Sequence, residues 1–238
     1  VDPWLPGPDK KIILPTAHLI PDGPRKGLLL NLVDQRLYYF RNNNKVKSFP
    51  IGTGQDAWDT PLGSTQVIRK KKNPIWFVPK SIRKEQPELP KVILPGPDNP
   101  LGHHALYLGW QSYLIHGTNI PWGVGRRVSH GCIRMYPEDI SWLFSTVAVG
   151  TTVTVVSQEL KIGWANNQLF IEVHPNHKQN EELEHTGIFR SAKVPEMIYR
   201  IAQAAGGQVK QVDWKKVKIA EVERTGLPVS VLDGKLKE

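Results

Sequence analysis

The chain contains a single cysteine, Cys132, and two histidines placed where an imidazole can serve it. They stand in Ile115-His116-Gly117-Thr118 and, after the eleven residues Asn119 to Ser129, in His130-Gly131-Cys132-Ile133-Arg134-Met135. A thiol attacks a carbonyl as its thiolate, and a nearby imidazole can take the proton or hold the thiolate as an ion pair. With Ser129–Met135 extended, the period of two puts His130, Cys132 and Arg134 on one face and turns Ile133 and Met135 toward a core. Gly131 offers no side chain to obstruct the backbone beside the thiol. Backbone N–H groups near Gly131 and Cys132 are candidates for stabilising a tetrahedral oxyanion. Arg134 can grip a carboxylate by a two-pronged contact, which lysine does less well. Together these groups suit acyl transfer through a thioester.

Residue by residue, other chemistries compete. A cysteine between glycine and isoleucine suits a small buried hydrophobe. His116 suits a satisfied core histidine, and His116, His130 and Cys132 would supply three zinc ligands. One cysteine excludes an internal disulfide and a multi-thiolate zinc site. The formal charge of +9 favours an anionic partner. The basic residues are scattered apart from Arg69-Lys70-Lys71-Lys72, and no zinc-finger spacing or RNP-type motif accompanies them, which argues against nucleic acid. A carboxylate-rich polymer fits the charge, as does a basic surface that only aids solubility. A non-catalytic protein that binds such a polymer through its basic surface, with Cys132 merely packed, is the reading of a different class.

The elements that must position these groups read mostly as strands. A chain of 238 residues, 39% hydrophobic and 22% charged, can bury a real core, and its 20 prolines and 20 glycines predict many turns. Residues 1–26 form a Pro/Gly-rich lead-in with one short strand at Lys11–Pro15. Leu28–Val33, Arg36–Phe40 and Val46–Ile51 predict a meander, with a turn at Asn42, Asn43 and Asn44. Further strands are expected at Gln66–Ile68, Trp76–Val78, Ala105–Trp110, Tyr113–Ile115 and Thr152–Val156. One helix is signalled by Pro137, Glu138 and Asp139 in a first turn, with Ile140, Leu143, Phe144 and Val147 on one face and Gly150 as the stop. Beyond Ser157 a hairpin over Lys161–Val173, turning at Asn166-Asn167, precedes two short helices at Pro195–Ala205 and Asp213–Arg224. No apolar run is long enough to span a bilayer.

His116-Gly117-Thr118 followed by Ser129-His130-Gly131-Cys132-Ile133-Arg134 closely resembles the signature of the L,D-transpeptidase, or YkuD, catalytic domain family. The resemblance covers residues 27–157 and includes Leu37-Tyr38-Tyr39-Phe40, Pro50-Ile51-Gly52-Thr53-Gly54, Thr60-Pro61-Leu62-Gly63 and Pro97-Asp98-Asn99-Pro100-Leu101-Gly102. The last phrase and Trp122-Gly123-Val124-Gly125 look most like the envelope-resident ErfK/YbiS/YcfS/YnhG group. His116 and Ser129 stand closer than in many Gram-positive members, and Arg134 sits where many relatives have Asn. Val1–Pro15 resembles the tail of a LysM peptidoglycan-binding module.

The resemblance implies a mainly β fold: a β-sandwich catalytic domain over 27–157 with few helices, and a small α+β appendage over 158–238. It implies Cys132 as nucleophile and His116 as general base, with His130 and Gly131 in the active-site shell. Ser129, Gly117 and Thr118 would line or orient the substrate site, the Gly117 carbonyl steering His116, and Arg134 would face the donor stem. The implied partners are peptidoglycan stem peptides, an outer-membrane lipoprotein as acceptor, and carbapenem-type inhibitors, with no metal or organic cofactor and no nucleic acid. The implied role is peptidoglycan biosynthesis, cell-wall biogenesis and cell shape in the periplasm. A start at Val1 rather than Met fits a chain that has lost an export signal. The motif does not separate transfer from hydrolysis on the same scaffold, because only the acceptor differs.

Overall fold

The computed structural model describes residues 13, 15–41, 45–55 and 58–232, and the chain divides into two compact units. The first is Gly23–Ser157. Its elements run β1 (Gly27–Asn31), β2 (Arg36–Phe40), β3 (Val46–Pro50), β4 (Thr53–Gly54), β5 (Gly63–Lys72) and β6 (Trp76–Phe77). After these come α1 (Lys80–Glu85), β7 (Val92–Ile93), β8 (His104–Leu108), β9 (Leu114–His116), β10 (Arg127–Ser129), β11 (Ile133–Arg134), α2 (Pro137–Thr146) and β12 (Thr152–Val156). Eight strands form one mixed sheet in the order β11-β9-β8-β5-β12-β1-β2-β3.

Laid flat, eight strands span about 34 Å. Here the two ends meet instead. Gly52, just past β3, exchanges two 2.9 Å backbone hydrogen bonds with Arg134 of β11. Phe49 and Ile51 consequently share one core with Ile115, Ile133 and Met135, all at most 1% exposed. The sheet thus curls around its own apolar face, doing with one sheet what a sandwich does with two. Helix α2 lies in that core through Ile140 and Leu143. It starts at Pro137 as expected but stops at Thr146, where Val147 takes an extended conformation, rather than running to Gly150. The β-branched Val147 and Val149 favour that extended exit.

The second unit comprises the lead-in up to Asp22 and everything from Gln158. Strands β13 (Leu160–Ala165), β14 (Gln168–Val173) and β15 (Val229–Ser230) form its sheet. The turn between the first two uses Asn166 and Asn167, both at positive φ, the geometry of a tight hairpin. Helices α3 (His177–Thr186), α4 (Met197–Ala205) and α5 (Trp214–Glu223) complete it. Its buried polar groups are paired: Lys161 meets Glu172, which also holds His174 and the Leu19 N–H. The strand expected at Lys11–Pro15, most of the LysM-like segment and the Asn42–Asn44 turn lie outside the described residues. No helix among the described residues is long and apolar enough to cross a membrane.

Candidate active site

Strands β9 and β11 run parallel, with Ile115 opposite Ile133 and His116 opposite Arg134. Both isoleucines are fully buried in the core, so His116 and Arg134 share the sheet's other face. Cys132 immediately precedes β11, two residues before Arg134, so the period of two sets it on the same side. Its thiol donates to the Ser112 carbonyl at 3.5 Å, and the Leu114 N–H faces its sulfur.

The expected continuous strand over Ser129–Met135 is not formed. β10 ends at Ser129, pairing with β4, and β11 begins at Ile133. Between them Gly131 takes φ +95°, a region closed to ordinary L-residues. Ser129 holds the bend by donating its hydroxyl to the Cys132 carbonyl at 2.6 Å. Thr60 donates to the Gly131 carbonyl at 2.9 Å. The backbone N–H groups of Gly131 and Cys132 donate to no acceptor among the described residues and stay available for an oxyanion. A Cβ on Gly131 would stand 2.8 Å from Cε1 of Tyr113. Gly131→Ala is therefore expected to lower Tm, at about 1–3 kcal/mol for the strained φ, and to slow acylation of Cys132 at least tenfold. Thermal melting and adduct mass spectrometry check this, and wild-type behaviour in both would refute the geometric argument.

His116 is 4% exposed, and its Nδ1–H donates to the Gly117 carbonyl at 2.5 Å. That bond fixes the tautomer and leaves Nε2 with its lone pair. Burial, then the charge of Arg134, lower its pKa to about 4, although the Gly117 bond works the other way. Burial pushes the Cys132 thiol up, against the Leu114 hydrogen bond and Arg134. Both shifts favour the neutral thiol and the neutral imidazole over their charged forms. Burial also lowers the pKa of Arg134, whose buried Nε has no hydrogen-bond partner among the described residues.

The remaining expected residues divide. Gly117 serves His116, and Ser129 serves the bend; both are buried. Thr118 is buried, its hydroxyl accepting from the Ile120 N–H at 2.9 Å. His130 leaves the shared face because of the Gly131 bend: its ring lies 5.2 Å from that of Trp58, and Nε2 pairs with Glu85 at 3.0 Å. Among the described residues, ligand atoms of Cys132, His116 and His130 do not gather within 4.8 Å of one another. Trp58, Tyr113 and Glu85 carry no local signal, since they reach the motif from 18 to 72 residues away. Thr60 stood out only within the Thr60-Pro61-Leu62-Gly63 phrase.

The model of the L,D-transpeptidase catalytic domain, YkuD, matches residues 25–155. The probable L,D-transpeptidase ErfK/SrfK of Escherichia coli is 37% identical over 242 residues, covering 98% of this chain and 76% of that protein. The probable L,D-transpeptidase YbiS of the same species is 38% identical, covering 96% and 75%. Among solved structures, the L,D-transpeptidase LdtMt1 in complex with imipenem gives a TM-score of 0.41 at 21% identity, covering 54% of this chain and 57% of that one. This chain belongs to the L,D-transpeptidase family and carries its catalytic domain.

Proposed function

We propose that this peptidoglycan L,D-transpeptidase works through Cys132 as nucleophile and His116 as general base, with Arg134 as the anchor for a stem carboxylate. The observation that carries this reading is the pairing of β9 with β11, which sets His116 opposite Arg134 on the face that Cys132 shares by register, with the His116 Nδ1–H turned to the Gly117 carbonyl. As sulfur attacks the carbonyl of the third stem residue, its proton passes to Nε2. The oxyanion takes the N–H groups near Gly131 and Cys132. The intermediate collapses to a thioester, the bond to D-alanine breaks, and the imidazolium protonates the departing amine. An acceptor amine then attacks the thioester, gives its proton to His116 and restores the thiol. In this reading Ser129, Thr60 and Gly131 are positioning residues for the thiol.

The acceptor is a wall-attached amine, either a diaminopimelate side chain giving a 3-3 cross-link or a C-terminal lysine of an outer-membrane lipoprotein, and the place of action is the periplasm. Such an amine, of pKa about 10.4, is almost wholly protonated near neutrality, so the return of His116 to its neutral form is what admits it. Carbapenems, as strained cyclic amides, acylate the same thiol. The test supplies both acceptors in competition to enzyme and a tetrapeptide donor, with products read by mass spectrometry. Incorporation of either amine with loss of D-alanine is expected. Free tripeptide alone would make the enzyme an L,D-carboxypeptidase.

A further inference from the structure

The face that carries the reacting groups extends beyond them. In register, Arg134 lies opposite His116, His116 opposite Ala105, and Ala105 opposite Lys71. The next row reads Leu114, Tyr107 and Arg69, with Cys132 at its near end. Leu106 and Leu108 of β8 point into the core, so Ala105 and Tyr107 point to the catalytic side. Lys70 is sorted the other way: it donates to the Val147 carbonyl and lies over Phe144, on the α2 side. Of the run Arg69-Lys70-Lys71-Lys72, Arg69 and Lys71 are therefore the two on the catalytic face.

Both are exposed, and among the described residues neither forms an ion pair. Arg69 is held in place, its guanidinium 3.8 Å from the centre of the Tyr107 ring, a contact that fixes the stem without consuming the charge. The surrounding charge points the same way. Gly23–Ser157 holds 17 of the 31 lysines and arginines but only 8 of the 22 acidic residues, so the whole formal charge of +9 falls on this unit.

We propose that Arg69 and Lys71 form a second anion subsite of the catalytic face, which binds a carboxylate of the stem peptide away from the carbonyl that acylates Cys132. The inference rests on the transpeptidase reading above. Distance sets which carboxylate it takes. Three strand spacings separate β5 from β11, about 14 Å. The long reach of both cations subtracts several ångströms, and an extended peptide covers about 3.3–3.6 Å per residue. The partner carboxylate thus lies about two to four residue lengths from the reacting carbonyl. With Arg134 near the thiol, a stem would be held by two anionic points and laid along the half-buried row of Leu114 and Tyr107, because Ala105, between His116 and Lys71, is fully buried. An uncharged or amidated stem loses the far point.

Binding is measured without turnover, using Cys132→Ser chains and the disaccharide tetrapeptide with its carboxylates either free or amidated away from the reacting residue. The chain with Arg69 and Lys71 intact is expected to prefer the free-carboxylate stem at least tenfold, and the preference should shrink as salt rises. Arg69→Gln with Lys71→Gln should weaken binding of the free stem about tenfold and change the amidated stem less than twofold, with Tm unchanged. An intact chain that does not distinguish the two stems overturns the proposal. So does a double variant that loses both equally or neither. D-alanine release by the wild type is followed in parallel: its absence rejects the transpeptidase reading, whereas the subsite is judged on the carboxylate-dependent Kd alone.

Discussion

Cys132→Ala is expected to remove D-alanine release altogether, a loss of at least ~10⁴-fold and nearer ~10⁶-fold if it matches other nucleophile deletions. The sequence holds no second thiol to take over the covalent step. The backbone that would stabilise the oxyanion stays in place, but it has no tetrahedral intermediate to act on. The fold should survive, because the side chain is partly exposed and the hydrogen bond its thiol donates, to the Ser112 carbonyl at 3.5 Å, is weak. Tm is therefore expected to stay within a few degrees of wild type while turnover vanishes. A carbapenem should add its mass to the wild type and leave the variant unlabelled. Turnover near the wild-type rate, or an adduct on the alanine variant, would remove Cys132 from the nucleophile's role.

How much of this was legible beforehand depends on the range of the interaction. The residue types in His116-Gly117-Thr118 and Ser129–Arg134 announced thiol chemistry, and the family resemblance fell on the same residues. The geometry that joins them is not local. A period-two argument within one strand placed His130, Cys132 and Arg134 together, whereas the structure builds the face from two strands, pairing Arg134 with His116 and breaking the chain at Gly131. In the sequence Gly131 offers only a missing side chain; in the structure its positive φ turns the chain so that His130 meets Trp58 and Glu85. Helix α2 was legible because its apolar residues repeat on one face above an acidic first turn. Helix α3, HKQNEELEHT, was not, since it has almost no apolar stripe and is announced mainly by the Asn176–Gln179 capping box. Closure of the sheet through Gly52 and Arg134 joins residues 82 apart and leaves no local trace.

His116→Ala is expected to slow acylation of Cys132 by roughly two to four orders of magnitude, the usual worth of a positioned acid/base. The pH profile says more than the size of the loss. A solvated histidine would impose an acid limb near 6.5, whereas His116, buried and beside Arg134, protonates only at about 4. Acylation by a carbapenem, which needs no acceptor amine, should therefore be level from pH 8 down to about 5, where about nine-tenths of the imidazole is still neutral, and fall toward pH 4. Removing the imidazole should abolish that limb along with most of the rate. Stability follows the same group. Between pH 6.5 and about 4 the unfolded chain holds a proton on this histidine that the folded chain does not, so stability falls as pH drops through that window. A His116→Gln variant should lose that part of the acid sensitivity. An acid limb centred between pH 6 and 7 would instead mean that the imidazole is solvated or already paired with a thiolate, and the neutral-pair mechanism would have to be given up.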